Sequence, residues 1–258
     1  MLLNNANLAI SGATGFIGKH LVAELTNSGI KFVKLNARYP YDTSPNFLNV
    51  DTIIHLAGLA HGKDKSKSES LLINSKFPFE MAAFAKQQGV RSFVFISTVN
   101  VYDPICRVID EFSAAKPSSY QALHKYEAEN NLLKLVDDDF SVIVLRLPLV
   151  YAADAPANFS KLFTLSKKIS IQPFGLANAK RSLLSIDNLV SALMQVIQEK
   201  EAVSGVFNVT DDCDISVKQL ISIIRTSLGK KTIHLRIPLQ LIRAAVFLIG
   251  GETQIDSL

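Results

Sequence analysis

Short apolar runs alternate with stretches of helical periodicity along the first half of the chain. Leu8-Ala9-Ile10 is a strand-like run that ends in glycines. Lys19 to Ser28 places Leu21, Val22 and Leu25 on one face of a helix, and Gly29 supplies its stop. Lys31 to Leu35 alternates as a strand. Thr52 to Leu56 and Ser92 to Ile96 are continuous apolar runs of the kind buried on both faces of a sheet. Phe77 to Gln88, closed by Gly89, reads as a helix, Tyr120 to Val136 as a longer one, and Ser141 to Leu147 as the strand that follows. Strand and helix in alternation predict a parallel sheet with right-handed crossovers. After Pro148 the pattern loosens: helices are expected over Phe159 to Lys168, Asp187 to Glu199 and Ser216 to Leu228, with a strand at Val206 to Thr210. The fold class is therefore α/β, a doubly wound parallel sheet over residues 1–150 with returning segments from the second half. A smaller lobe is expected over 151–258.

Composition narrows this little. The 258 residues, 48% hydrophobic and 19% charged, suit one large domain, and a net charge of +4 is mild. Lysines and arginines are scattered rather than striped, which argues against a nucleic-acid partner. Cys106 and Cys213 form neither a bridge framework nor a metal-ligand spacing, so reduced thiols, a cytoplasmic setting and no bound metal are expected. Met1 to Asn7 lacks the features of a signal peptide. Ile237 to Gly251, interrupted by Gln240 and Arg243, is too short and polar for a transmembrane segment and reads as a core-facing or interfacial helix.

The chemistry begins between the first strand and the first helix, at Ser11-Gly12-Ala13-Thr14-Gly15-Phe16-Ile17-Gly18. In such a loop the first glycine makes a tight turn. The second lets backbone approach a pyrophosphate, and the third lets helix and strand pack closely. Helix-start amides then meet the phosphate charge. Strand, loop and helix in this order make a structural turn alone the weaker reading. At the end of the second strand, where an acidic residue would bond the ribose hydroxyls of NAD, the chain reads Leu35-Asn36-Ala37-Arg38. Arg38 is either a fork for a 2′-phosphate or a solvated surface arginine. NAD or NADP is expected, with a lean to NADP.

Gly12 to Gly18, then Ile54-His55-Leu56-Ala57-Gly58, Phe95-Ile96-Ser97-Thr98 and Lys125-Tyr126-Glu127-Ala128-Glu129 resemble successive motifs of the extended short-chain dehydrogenase/reductases, and within them the NAD-dependent epimerase/dehydratase family. Pro173-Phe174-Gly175, Lys180-Arg181-Ser182-Leu183 and Asp187-Asn188-Leu189 resemble its nucleotide-sugar branch, most of all the bacterial surface-polysaccharide enzymes that reduce or epimerise UDP-linked hexoses at C4. The resemblance runs from about residue 8 onward. Such proteins usually continue further, so the C-terminus is expected to be either truncated or naturally short.

The resemblance implies roles. Gly12, Thr14, Gly15, Phe16, Ile17, Gly18, Arg38, Leu56, Ala57, Gly58, Asn74, Ser97 and Pro148 would lie along the cofactor, together with Tyr120 and Lys125. Thr98 would hydrogen-bond the reacting oxygen. Asn158 and Arg181 would hold the diphosphate of a UDP-sugar, although Arg181 also reads as half of a surface ion pair. A homodimer through two long helices, one carrying Tyr126 and Leu133, is implied as well.

The implied reaction moves a hydride between nicotinamide and a sugar carbon while a tyrosine, its pKa lowered by lysine, handles the proton. That tyrosine and lysine are usually separated by three residues. Here Tyr120-Gln121-Ala122-Leu123-His124-Lys125 leaves four, and on a regular helix His124 takes the aligned position. Three readings stay open. A π-bulge or irregular first turn, with Ser118 and Gln121 as a capping box, would bring Tyr120 and Lys125 together. Alternatively, His124 replaces the lysine, or the proton donor is lost. The last would make the chain a catalytically impaired NAD(P)-binding regulatory protein on the same fold.

Overall fold

The computed structural model of the chain describes residues 8–35, 47, 49–59, 66–156, 158–173, 175–199, 203–238 and 240. The elements run β1 (Leu8–Ser11), α1 (Phe16–Asn27), β2 (Phe32–Leu35), β3 (Thr52–His55), α2 (Lys67–Leu71), a π-helical turn (Leu72–Lys76) and α3 (Phe77–Gln87). Then come β4 (Ser92–Thr98), a 3₁₀ turn (Val99–Val101), α4 (Tyr120–Leu133), β5 (Ser141–Leu147), β6 (Leu149–Tyr151), α5 (Asn158–Lys168), β7 (Ile171–Gln172) and β8 (Lys180–Arg181). The chain continues through β9 (Leu183–Ser185), α6 (Ile186–Gln198), β10 (Gly205–Asn208), β11 (Ile215–Ser216), α7 (Val217–Ser227) and β12 (Ile233–His234). It divides into two compact units, Met1–Pro148 with Leu184–Thr210, and Leu149–Leu183 with Asp211–Leu258.

The first unit is the doubly wound parallel α/β sheet. Its six strands lie in the order β10-β5-β4-β3-β1-β2, every pair parallel. All seven residues of β5 are buried, which is why Ser141 to Leu147 reads as an apolar run rather than an alternation. At the edge, β2 leaves Val33 54% exposed. Phe77 and Met81 of α3 and Ala128 and Leu132 of α4 join Ile53, Phe93, Val142 and Val144 in one core. Leu21 and Leu25 of α1 are buried too, as are Leu189 and Leu193 of α6, and these two helices pack together.

Register sets the shape of the carboxyl edge. Ser11 pairs with His55 and His55 with Phe95, whereas β4 and β5 stay paired as far as Thr98 and Leu147. Thr98 and Pro148 therefore project beyond the ends of β1 and β3. The chain reverses its direction of travel across the sheet between β1 and β3, and ligands of such sheets bind outside the carboxyl ends at that switch point.

The second unit pairs β7 with β12 in parallel and β8 with β11 antiparallel, and packs α5 on α7. Arg225 of α7, 2% exposed, ties its loops together by donating to the carbonyls of Ser166, Ile169 and Lys231 and to the Ser170 hydroxyl. Ser216 and Gln219 close a capping box at the start of α7, so the helix expected from Ser216 begins at Val217.

Most expected elements form within a few residues of their predicted limits. Three differences matter. Helix α1 starts at Phe16 rather than Lys19, because Gly15 is its N-cap. The segment of α2 with the π turn precedes α3, where the sequence shows no helical period, although the resemblance places Asn74 on a helix. The proposed helix at 237–251 falls almost wholly outside the described residues.

Candidate active site

The glycine loop is built from backbone contacts. Gly12 has φ +73°, and a Cβ there would stand 2.6 Å from the amide nitrogen of Ala57. At Gly18 a Cβ would lie 2.3 Å from the Gly12 carbonyl oxygen. The amide of Gly15 donates to that same carbonyl at 2.9 Å, curling the loop over the end of β1. Thr14 and Gly15 are exposed, Phe16 and Ile17 half-buried and Gly18 buried. Helix α1 has no acidic residue in its first turn and no side-chain cap, so its leading amides meet no negative side chain of their own helix. This cradle fits a dinucleotide pyrophosphate.

Beside it, Leu56-Ala57-Gly58 leaves β3. Asn74, on the π turn, holds the chain just past Gly58: its carboxamide accepts from the Leu59 amide at 2.8 Å and donates to the Leu59 carbonyl at 3.0 Å. The same NH₂ donates to Ser70 Oγ at 3.2 Å, and Ser70 meets His124 Nδ1 at 3.0 Å. A Cβ at Gly58 would come within 3.3 Å of Asn74 Oδ1 and 3.7 Å of Lys125 Nζ. Thus Gly58, Asn74 and Lys125 converge, and a π turn places the asparagine, as such turns often do at functional sites.

Lys125 Nζ donates to the Ile96 carbonyl at 2.6 Å and lies 5.4 Å from the centre of the Phe95 ring. Burial pulls its pKa down to about 8, against the opposing pull of Glu129. It is therefore predominantly an ammonium at neutral pH. Thr98, half-buried, ends β4 and caps the 3₁₀ turn by accepting from the Asn100 amide at 3.2 Å. The Ser97 hydroxyl faces inward and donates to Glu129. Pro148, half-buried, follows β5 directly. In the second unit, exposed Arg181 lies on β8 in register with Ile215, and Asn158 opens α5. Arg38 lies outside the described residues.

Tyr120 is the first residue of α4, which is a regular α-helix throughout and carries no π turn. Its cap is Ser119, whose hydroxyl accepts from the Ala122 amide at 3.3 Å, not the expected Ser118–Gln121 box. No bulge absorbs the extra residue. At about 100° per residue, Lys125 is turned about 140° from Tyr120 and His124 about 40°. The Tyr120 and His124 rings stand 6.2 Å apart. His124 is buried, and desolvation lowers its pKa, with Lys67 adding to that and Glu127 opposing it.

Sequence reasoning assigned no role to His55, Ser70, Glu129 or Arg146. The available signals were a lone arginine in the apolar run Ser141 to Leu147 and a glutamate one helical turn after Lys125. His55 is 1% exposed, with Nδ1 2.9 Å from the Ser11 hydroxyl, and among the described residues Nε2 meets no hydrogen-bond partner. Burial first, and the nearby Lys125 charge second, push its pKa down to about 3. The unfolded chain then binds a proton that the folded chain refuses, so stability is lost as pH falls from about 6.5 toward 3. Between pH 6.5 and 4.5 this one group contributes about 2–3 kcal/mol. Urea unfolding of His55→Met should show that much less acid sensitivity than the parent; equal pH slopes would refute the assignment.

Among the described residues no helix is long and apolar enough to cross a membrane, and no group of side chains could hold a metal ion. Cys106 and Cys213 are exposed free thiols. The chain is 29% identical over 278 residues to the UDP-glucose 4-epimerase of Vibrio cholerae, covering 98% of this chain and 85% of that one. It is 24% identical to a GDP-6-deoxy-D-mannose reductase of Pseudomonas aeruginosa, over 84% of this chain and 78% of that one. Of solved structures, MoeE5 in complex with UDP-glucuronic acid and NAD superposes with a TM-score of 0.75 at 26% identity, over 89% of this chain and 84% of that one. RMD from Pseudomonas aeruginosa complexed with NADPH shares the fold, with a TM-score of 0.74 at 22% identity over 89% and 84%. The profile of the NAD dependent epimerase/dehydratase family matches residues 8–210, from the first strand of the parallel sheet to just past its last, and the chain belongs to that family.

Proposed function

We propose that the protein is an NAD(P)-dependent epimerase or reductase acting at C4 of a UDP-linked hexose. The observation that carries this is the convergence, inside one unit, of a glycine cradle, Gly58 and the Lys125 ammonium at the carboxyl edge where Thr98 projects. In this reading Gly12, Thr14, Gly15 and Gly18 hold the pyrophosphate. Asn74 acts through the backbone of Leu59, shaping the passage beside Gly58. The cofactor, when bound, supplies or accepts a hydride. Thr98 hydrogen-bonds the reacting oxygen, Tyr120 exchanges its proton, and Lys125 supplies positive charge that favours the oxyanion. Asn158 and Arg181 take the nucleotide diphosphate, for which a guanidinium fork is suited. Arg38 supports NADPH, and with it net reduction, through a 2′-phosphate.

The Tyr120–His124 neighbourhood favours one rival, a protein that binds NAD(P) and regulates without turnover. Purified protein should be supplied with NAD⁺ and UDP-hexoses, and separately with NADPH and a UDP-4-keto-hexose, with absorbance and sugar products followed. Turnover of either supports the enzyme. Tight NADP(H) binding without turnover of any nucleotide sugar supports the rival.

A further inference from the structure

The end of β4 that presents Thr98 is tied to α4 at two successive residues. Lys125 reaches the Ile96 carbonyl at 2.6 Å, and Glu129, one helical turn on, receives the Ser97 hydroxyl. Glu129 is 1% exposed and also accepts from Arg146 Nε at 3.1 Å and Nη2 at 2.5 Å. Arg146 stands in the fully buried strand β5, its guanidinium 4.7 Å above the Tyr102 ring, and Tyr102 in turn donates to Asn208 Oδ1 at 2.9 Å. Apolar side chains of similar volume commonly serve stability as well as a buried ion pair, or better. What this pair adds is a fixed carboxylate between the strand of Thr98 and the helix of Lys125.

We propose that Glu129, clamped by Arg146 and Ser97, is a positioning residue that fixes the Thr98 strand end and keeps the Lys125 ammonium in place. The inference rests on the function proposed above. Charged and titratable neighbours of Lys125 are Glu129 on its own helix, His55 at the end of β3, and Arg146 on β5 acting through Glu129. His124, also on α4, is turned toward Ser70. Burial lowers the Lys125 pKa to about 8, and Glu129 opposes that fall. Without the carboxylate the ammonium is lost closer to neutral pH.

The test is a ¹³C-lysine NMR titration of the full chain without ligand, with the Lys125 signal identified by its disappearance in Lys125→Arg. In Glu129→Gln, which keeps an acceptor for Ser97, the Lys125 midpoint should move below the parent value. The basic limb of the kcat profile should move with it. At neutral pH kcat should fall about tenfold with KM little changed. If Glu129→Gln does not fold, Glu129→Leu combined with Arg146→Met replaces the pair by apolar groups and should show the same two changes. A parent-like Lys125 midpoint in a folded variant, or full kcat in the double variant, overturns the proposal. Because the titration uses no substrate, a parent protein that turns over no nucleotide sugar defeats the proposed function and leaves the Lys125 shift to be judged by itself.

Discussion

Gly12→Ala and Gly18→Ala are each expected to weaken nicotinamide cofactor binding by about a hundredfold or more, equivalent to about 2.7 kcal/mol, and to lower the melting temperature. In both cases the added methyl meets main chain, which cannot rotate aside. At Gly12 the neighbours are Ala57 N at 2.6 Å and Leu56 C at 2.8 Å, with the added strain of φ +73°. At Gly18 they are Gly12 O at 2.3 Å and Ala13 C at 2.7 Å. Relieving either clash pushes the loop off β1 and β3 and misdirects the α1 amides. Backbone strain and overpacking of this kind cost about 1–3 kcal/mol each. Gly15→Ala separates binding from folding. Its φ is −71°, and a Cβ there would meet only Gly12 O, at 3.2 Å. Thermal stability should stay near the parent's, yet NADH affinity, followed by fluorescence, should drop at least tenfold, because in the proposed binding mode the methyl stands where phosphate approaches. Gly29→Ala is the control: φ is +67° with open space around it, so it strains the turn by about 1 kcal/mol and leaves binding intact. Parent-like NADH affinity in Gly15→Ala would show that the phosphates lie elsewhere.

The legible parts of this chain are those in which side-chain pattern and burial coincide. The apolar run Ser141 to Leu147 predicts a central strand, and β5 is one. The sheet and the glycine loop were readable for the same reason. The start of α1 was not, because Gly18 is a poor helix former, and its close packing on Gly12 and Ala13 overrides that propensity. The segment of α2 and the π turn was missed because a π turn is defined by main-chain hydrogen bonds and leaves no side-chain period. Two-residue strands such as β7 and β11 are too short to show alternation at all. The Glu129–Arg146 pair was illegible for a different reason. A buried charge in an apolar run shows that a partner exists, but only the pairing of β4 with β5 beneath α4 shows which one.

The spacing of Tyr120 and Lys125 yields the second large effect. Since α4 is regular from its first residue, the two side chains cannot act as a contiguous pair along one face of the helix. His124 is the residue aligned with Tyr120, but desolvation lowers its pKa and its Nδ1 faces Ser70, so it is a poorer source of positive charge than the lysine. Lys125 is charged below about pH 8 and sits at the Ile96 carbonyl beside Gly58. In the proposed reaction the electrostatic task therefore falls to the lysine. Lys125→Met should lower kcat by about 10²–10³-fold, and Tyr120→Phe by at least about 10²-fold, the range of lost general acid–base catalysis. His124→Ala should cost less than about tenfold, through a loosened Ser70–Asn74 link. In the parent, kcat should decline as pH rises through about 8, where Lys125 gives up its proton, and Lys125→Arg should flatten that decline. A larger loss from His124→Ala than from Lys125→Met would make the histidine the partner of Tyr120. Unchanged kcat in both Tyr120→Phe and Lys125→Met would move proton transfer to a different group.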